Sequence, residues 1–157
     1  WGIWKSCFRR ETSGFNMKLK FPEEFIEQGE RVPHSGQISD TFYNVNRLIT
    51  RNFFLRHILR NIPANEHYIG ISTGGALIAM AAHTQYIHSR LSIIKEGQLL
   101  GERPSEAQWY LIDDVVTTGK SLLEAISLVG SNPKEIIVTV DRRPENANPE
   151  VRAIFQP

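Results

Sequence analysis

The sequence predicts an α/β fold in which a parallel β-sheet is flanked by helices. The first observation is that short apolar runs, such as residues 68–71 and 109–112, alternate with segments of helical character. The second is that these runs are apolar throughout, as are strands buried on both faces of a parallel sheet. The third is that no internal repeat and no linker divides the 157 residues, a length that suits one domain with a substantial core.

Composition and charge limit the classes of function. Hydrophobic residues make up 41% of the chain and charged residues 22%, as in ordinary globular proteins. The formal net charge is +1 and the basic residues are scattered, so we expect neither nucleic acid nor a membrane as a partner. Cys7 is the single cysteine, which excludes an internal disulfide and fits a cytoplasmic location. No apolar run reaches the length of a membrane span.

The first residues of the chain show neither a helical nor a strand period. We therefore expect residues 1–16 to be an N-terminal extension, non-native or flexible, and residues 17–157 to form the domain. The alternative is that Trp1 and Trp4 anchor a short tail on the core.

In the first half of the domain, one helix has the clearest signal. Phe54, Ile58 and Ile62 recur every four residues, Thr50 is a candidate cap, and Pro63 would end the helix. Weaker signals before this helix predict a short helix at residues 22–28, exposed turns at residues 31–40 and a strand at residues 41–45.

The second half alternates strands with helices. Residues 95–108 have no period and are predicted to be a loop. Gly130 is expected to close the last helix. Strands are predicted at residues 68–71, 91–94, 109–112, 135–141 and 151–155, and helices at residues 76–87 and 121–129.

Three loops of this predicted sheet are expected to meet. They are residues 72–75, residues 113–121 and the turn after Asp141, each of which follows a strand. Because open α/β sheets bind ligands at the carboxyl ends of their strands, we expect one site at that edge.

The stretch YLIDDVVTTGKS, residues 110–121, carries the strongest signal in the chain. Gly119, Lys120 and Ser121 have the form of a P-loop ending, but Asp114 stands where a P-loop needs its first glycine. Two valines follow that aspartate and cannot form a wide glycine-rich loop. The P-loop interpretation is therefore rejected.

A tight turn that binds one phosphate group explains this stretch better. Backbone N–H groups at the helix start and the hydroxyls of Thr117, Thr118 and Ser121 would bind an anion. Asp113 and Asp114 cannot favourably face that phosphate, but they can accept hydrogen bonds from a diol or face a cation. Ribose 5-phosphate suits both features, because its phosphate can bind the turn while its diol donates to the aspartates. The alternative is a helix cap, although caps usually need a single polar side chain.

Residues 110–121 resemble the phosphoribosyl-diphosphate (PRPP) signature of the type I phosphoribosyltransferases. That signature is a hydrophobic strand, two acids, two aliphatic residues and then Thr-x-Gly-x-Ser, and every position is present here. The resemblance implies the α/β fold of that family.

Three further stretches resemble the orotate branch of the family. HSGQISDTFYN, residues 34–44, is similar to the segment that closes over the base, where Phe42 would stack on the ring. IKEGQLLGE, residues 94–102, resembles the flexible catalytic loop. VDRR, residues 140–143, resembles the Asp-Arg pair in which Arg142 would grip the orotate carboxylate.

The resemblance implies a reaction and a set of site residues. A base nitrogen would displace pyrophosphate from PRPP, with Mg²⁺ as cofactor and a homodimer as the working form. Lys95, Asp113 and Asp114 would be catalytic, and the two aspartates would hold Mg²⁺ indirectly, through ribose or water. The implied PRPP-binding residues are Ser72, Thr73, Gly74, Gly75, Asp113, Asp114, Val115, Val116, Thr117, Thr118, Gly119, Lys120 and Ser121, and the implied base-binding residues are Thr117, Arg142 and Phe42.

The chain also departs from the family pattern. Gln98 and Leu100 stand where the family loop carries a lysine and a histidine, and His34 replaces a lysine. Loss of cationic donors should slow a reaction that expels a multiply charged leaving group. Two alternatives therefore stay open: a phosphoribosyltransferase for a purine or another base, and a module that senses PRPP or a nucleotide with little activity.

Overall fold

The structure, a computed structural model, describes residues 19–31, 39–105 and 108–157. Within those ranges no helix combines the length and the apolar character that crossing a membrane requires. In chain order the strands are β1 (Leu19–Lys20), β2 (Ile26–Arg31), β3 (Ser39–Tyr43), β4 (His67–Ile71), β5 (Arg90–Lys95), β6 (Gln98–Gly101), β7 (Trp109–Val116), β8 (Glu135–Asp141) and β9 (Arg152–Gln156), and the helices are α1 (Val45–Leu48), α2 (Asn52–Arg60), α3 (Gly74–Gln85) and α4 (Lys120–Val129).

A mostly parallel sheet forms the centre of the described part of the chain. Its strand order is β1-β9-β8-β7-β4-β5-β6, and only β6 runs antiparallel to its neighbour. The predicted α/β fold with a parallel sheet and flanking helices is therefore confirmed. β1 was not predicted, because two residues cannot show a period.

Helices cover both faces of this sheet. On one face, Ile58 of α2 and Ile78 of α3 pack into a core cluster that includes Phe155. On the other face, Leu122 of α4 packs into a second cluster around the fully buried Trp109. Burial on both faces explains why these strands are apolar throughout.

A small antiparallel hairpin, formed by β2 and β3, lies outside the main sheet. The short helix predicted at residues 22–28 is wrong beyond a single 3₁₀ turn at Glu23–Phe25, because Ile26 pairs with Tyr43 in the hairpin. The strand predicted at residues 41–45 is confirmed up to Tyr43. The turns predicted at residues 31–40 fall mostly outside the described residues, as does His34.

Two other boundaries differ from the predictions. Thr50 does not cap α2, because its hydroxyl donates to the Arg47 carbonyl at 2.7 Å and α2 begins at Asn52. The loop predicted at residues 95–108 is wrong in its first half, which contains β6. The remaining predicted strands and helices are present, with ends shifted by a few residues.

Candidate functional site

The carboxyl ends of β4, β7 and β8 lie side by side, because these three strands are adjacent and parallel. We call this the carboxyl edge of the sheet. The backbone N–H of Arg142 donates to the Val116 carbonyl at 2.9 Å and so joins the ends of β8 and β7. The structure therefore brings the three predicted loops together at one edge.

The loop between β4 and α3, residues 72–75, packs tightly against the end of β7. We call it the diphosphate loop, after the group that the family resemblance predicts it to bind. A Cβ atom built on Gly74 would lie 2.6 Å from the Asp114 Cβ atom, and one built on Gly75 would lie 2.8 Å from the Asp113 Cα atom. Only glycine allows this approach. Ser72 and Thr73, joined by a cis peptide bond, are exposed.

Asp113 and Asp114 lie inside β7, not after it, and occupy different environments. Asp113 is 5% exposed and Asp114 is half-buried beside the diphosphate loop. Each carboxylate accepts the backbone N–H of the next residue, at 2.9 Å from Asp114 and 2.8 Å from Val115. Across the described ranges neither aspartate forms an ion pair. Asp114 is thus the more exposed acid of the two, and its role toward a ligand stays a prediction.

The charge state of Asp113 reflects its burial. Desolvation raises the pKa of the Asp113 carboxyl well above its ordinary value, and the neighbouring Asp114 carboxylate raises that pKa further. Hydrogen bonds from the Asp114 backbone and the Ser121 hydroxyl oppose the rise. Asp113 therefore binds a proton more readily than an exposed carboxyl does.

Residues 117–121 form the turn from β7 into α4, which we call the phosphate turn after the group that the sequence predicts it to bind. Gly119 is the N-cap of α4 and has a φ of 80°, a conformation that favours glycine. Thr118 accepts the Lys120 backbone N–H through its hydroxyl at 3.3 Å. Lys120 itself is exposed and lies 3.7 Å from Glu124. The turn thus presents main-chain amides and hydroxyls at a helix start, the arrangement that binds anions.

The predicted base-binding residues lie where the hairpin meets the carboxyl edge. Arg142 donates from Nη1 to the Thr41 carbonyl at 3.0 Å, and its guanidinium lies 5.4 Å from the centre of the Tyr43 ring. Phe42 is partly exposed beside it in β3. Thr117 is half-buried in the phosphate turn. Arg142 thus contacts the hairpin, and its role toward a base stays a prediction.

The remaining PRPP-binding predictions fall in β7. Val115 is half-buried, and Val116 is buried in the core beneath α4. Their contribution to a ligand would come from the backbone only.

The segment predicted to be a flexible catalytic loop is a tight hairpin. Glu96 and Gly97, with φ of 51° and 74°, form a two-residue connection, and Lys95 pairs with Gln98. The loop interpretation of residues 94–102 is therefore wrong. Lys95 remains at the same sheet edge as the acid pair, with a side chain that is 58% exposed and 4.0 Å from Glu96. Leu100 is exposed on β6.

Sequence reasoning missed Arg143, which lies directly behind the phosphate turn. Its guanidinium is paired with Asp141 at 2.9 Å and 3.0 Å, and it lies beside Gly119. The available signal was the spacing of Asp141 and Arg143, two residues apart at the end of a strand, which allows the two side chains to pair.

A separate groove of 710 Å³ lies at the opposite edge, where β7, β8 and β9 begin. No predicted site residue lines it. Three of its charged side chains are paired: Arg152 is bonded to Glu135 at 2.6 Å, and Lys134 lies 3.7 Å from Glu66. The groove therefore differs from the carboxyl edge, where two acids are adjacent.

Comparison with known proteins identifies the fold. No family model and no curated protein sequence matches the chain. UMP synthase of Leishmania donovani matches with a TM-score of 0.65 and 21% identity over 85% of this chain, which spans only 34% of that protein. Orotate phosphoribosyltransferase from Aeropyrum pernix matches with a TM-score of 0.63 and 24% identity over 76% of this chain and 77% of that one.

A third solved structure extends the match beyond the orotate enzymes. Adenine phosphoribosyltransferase from Thermoanaerobacter pseudethanolicus has a TM-score of 0.60 and 10% identity over 85% of this chain and 96% of that one. The chain therefore has the type I phosphoribosyltransferase fold, as the signature at residues 110–121 predicted.

Proposed function

We propose that this protein is a PRPP-dependent phosphoribosyltransferase. It would transfer ribose 5-phosphate from PRPP to a nitrogenous base and release pyrophosphate. One observation carries the proposal: Asp114, half-buried and without an ion pair in the described part of the chain, packs against the diphosphate loop and lies three residues before the phosphate turn. A ribose whose diol donates to Asp114 would have an anion-binding loop on either side.

The proposed reaction uses these groups in a defined way. A base nitrogen forms a bond to C1 of the ribose, and the bond from C1 to pyrophosphate breaks with its electron pair leaving on oxygen. The base loses a proton. Asp113 and Asp114 lie nearby, and their negative charge would stabilise the positive charge that develops on the sugar ring. Main-chain amides of the phosphate turn would hold the 5-phosphate in place during transfer.

Mg²⁺ fits this site as a substrate-bound ion. No cluster of three acidic, histidine or cysteine side chains occurs in residues 19–31, 39–105 and 108–157. Mg²⁺ is commonly held by one or two carboxylates together with substrate phosphates and water. Asp113 and Asp114 would hold it indirectly, through ribose hydroxyls or water. When bound, Mg²⁺ would offset negative charge on the leaving pyrophosphate.

An orotate-type pyrimidine is the favoured acceptor. Arg142 and Phe42, at the junction of the hairpin with the carboxyl edge, suit a planar ring that bears a carboxylate. Because the solved structures of this fold include both an orotate and an adenine enzyme, a purine is the alternative. Pyrophosphate release should be measured with orotate, uracil and adenine. Activity with adenine alone would contradict the role given to Arg142.

A second candidate function is a PRPP- or nucleotide-sensing module. The hairpin at Glu96 and Gly97 favours it, because Gln98 and Leu100 follow Lys95 where a transferase would gain from cations. Calorimetry with PRPP and Mg²⁺, run beside the pyrophosphate assay, separates the two candidates. Binding with background turnover for every base supports the sensor. Absence of binding contradicts both.

A homodimer is also part of the proposal. Leu77 and Met80 lie about one turn apart on α3 and are 42% and 46% exposed, which supports an apolar contact between two copies. Light scattering should give twice the 17.9 kDa chain mass. Leu77→Glu should reduce that mass to one chain, and Leu123→Glu, on exposed α4, should not. A monomeric wild-type protein would contradict the dimer.

A further inference from the structure

Arg143 is a buried cation for which the proposed reaction has no direct use. It follows β8 by two residues, and its side chain is only 3% exposed. Arginine keeps its charge at all ordinary pH values, so this is a charged group held permanently inside the protein. Burial of a charge is costly unless partners compensate for it.

Three hydrogen bonds fix the orientation of this guanidinium. Nε and Nη2 donate to the two carboxylate oxygens of Asp141 at 2.9 Å and 3.0 Å, and Nη1 donates to the Pro149 carbonyl at 2.9 Å. The Arg143 backbone N–H adds a bond to Asp141 at 3.0 Å. The bidentate pair sets the plane of the guanidinium, and the bond to Pro149 ties it to the connection that leads to β9.

The side chain held in this way forms the wall behind Gly119. A Cβ atom on Gly119 would lie 3.1 Å from Arg143 Nη1, 3.6 Å from its Cδ and 3.5 Å from the Asn148 carbonyl oxygen. The phosphate turn therefore rests directly on the guanidinium. The Arg143–Asp141 pair is neutral overall, and Arg143 Nη1 is the atom of the pair that lies nearest to the Cβ position of Gly119.

We propose that Arg143 is the positioning residue of the phosphate turn. It holds Gly119 in the left-handed conformation that starts α4, and it adds positive potential behind the amides that bind the 5-phosphate. This inference rests on the proposed function, since it assigns Arg143 to the phosphate half of the same site. Arg143 does not touch the ligand.

The molecule contains a matched control. Arg152 forms the same kind of bidentate pair with Glu135, at 2.6 Å and 3.1 Å, and also donates to a carbonyl, that of Asn61. That pair lies at the opposite edge of the sheet. Arg152→Met therefore reproduces the loss of an arginine pair without disturbing the phosphate turn.

The first test compares affinity for ribose 5-phosphate and for PRPP in Arg143→Met, Arg143→Lys and Arg152→Met. We expect Arg143→Met to weaken both affinities about tenfold, Arg143→Lys to weaken them less because the charge remains, and Arg152→Met to leave them unchanged. For the transferase, KM for PRPP should rise while kcat stays within about threefold, the pattern of lost ground-state binding. Unchanged affinities in folded Arg143 variants would overturn the inference.

The second test needs no ligand. Hydrogen exchange at the amide of Leu123, which donates to the Gly119 carbonyl at 3.1 Å, should be faster in Arg143→Met than in Arg152→Met when both are measured under the same conditions. Equal exchange would overturn the bracing role even if affinity falls. If the wild-type protein binds neither sugar phosphate, the proposed function fails, and exchange alone then decides whether Arg143 braces the turn.

Discussion

The two edges of the central sheet hold acidic side chains in different surroundings. At the amino edge, where β7, β8 and β9 begin, Arg152 bonds to Glu135 at 2.6 Å, and Lys134 lies 3.7 Å from Glu66. At the carboxyl edge Arg143 pairs with Asp141, but the adjacent acids Asp113 and Asp114 have no ion pair in the described residues. The groove of 710 Å³ lies beside the paired charges of the amino edge.

This difference indicates which edge serves a ligand. Pairing charges with one another leaves little for a bound molecule to gain. An unpaired acid pair that is partly desolvated costs stability in the free protein, and such sites are typical of function. We therefore place the proposed site by the arrangement of charge and not by the volume of the groove.

Substitution of Asp114 is the strongest test of the difference between the two edges. Asp114→Asn removes the carboxylate that packs against the diphosphate loop, and we expect pyrophosphate release to fall about a hundredfold or more. The measurement is the initial rate with PRPP, Mg²⁺ and the preferred base. Glu124→Gln, an exposed acid on α4, is the control and should keep its activity. A variant at Asp114 that keeps a third of the wild-type rate would contradict the role of this edge.

A second prediction concerns the close approach of the diphosphate loop to the acid pair. Gly74→Ala places a methyl group against the Asp114 side chain, so we expect the free energy of unfolding to fall by about 1–3 kcal/mol and PRPP binding to be lost. Denaturant titration and calorimetry measure the two effects. Gly97→Ala meets no atom within 4 Å, although its φ of 74° is strained. It should lower stability and leave binding in place. If Gly74→Ala and Gly97→Ala lost PRPP binding to the same extent, the role given to the contact between Gly74 and Asp114 would be contradicted.

The burial of Asp113 predicts that this carboxyl lowers the stability of the protein at neutral pH although activity needs it. Because its pKa is raised in the folded protein, the folded chain holds this proton more tightly than the unfolded chain does. The stability that the protonated carboxyl contributes is complete below the unfolded pKa of about 4 and is lost as pH rises toward the folded pKa. The free energy of unfolding should therefore fall with pH across that window.

The Asp113→Asn variant tests the predicted direction of this pH dependence. The amide can still accept the Asp114 backbone N–H and carries no charge, so we expect the variant to be more stable than wild type at neutral pH by about 1 kcal/mol or more. Activity should fall. Urea unfolding at pH 4 and pH 7 makes the measurement, and the advantage should shrink at the lower pH. An advantage that grows toward pH 4 would reverse the assignment.

The smallest effect is expected at the amino edge. Glu135→Gln removes one member of a pair whose side chains are about one-third exposed, so the free energy of unfolding should fall by less than about 1 kcal/mol. Affinity for PRPP, measured by calorimetry, should not change. A several-fold loss of affinity would show that the two edges are not independent.

The sequence allowed prediction of those parts of the fold that have local signals. β7, the phosphate turn and α4 follow from an apolar run, two acids and glycines at both helix ends, all within about twenty residues of each other. β2 could not be predicted, because Ile26 is placed in a strand by its pairing with Tyr43, which is remote in the chain. β6 was hidden by a turn in which Glu96 adopts a positive φ, a conformation rare for glutamate.

In the candidate site, too, the features with local signals could be predicted and those that depend on remote contacts could not. The spacing of residues 113–121 gave the types of group and the edge on which they lie. The unequal burial of Asp113 and Asp114 depends on the packing of Gly74 and Gly75 against β7. The contact of Arg143 with Gly119 depends on the path from β8 to β9. Neither contact leaves a periodic trace in the sequence.

The most direct test of the central claim is a crystal structure of the chain with ribose 5-phosphate. We predict that the phosphate will lie on the amides of residues 117–121 while Asp114 accepts hydrogen bonds from the sugar diol. A sugar phosphate bound instead in the groove beside Lys134, with the phosphate turn empty, would contradict that claim.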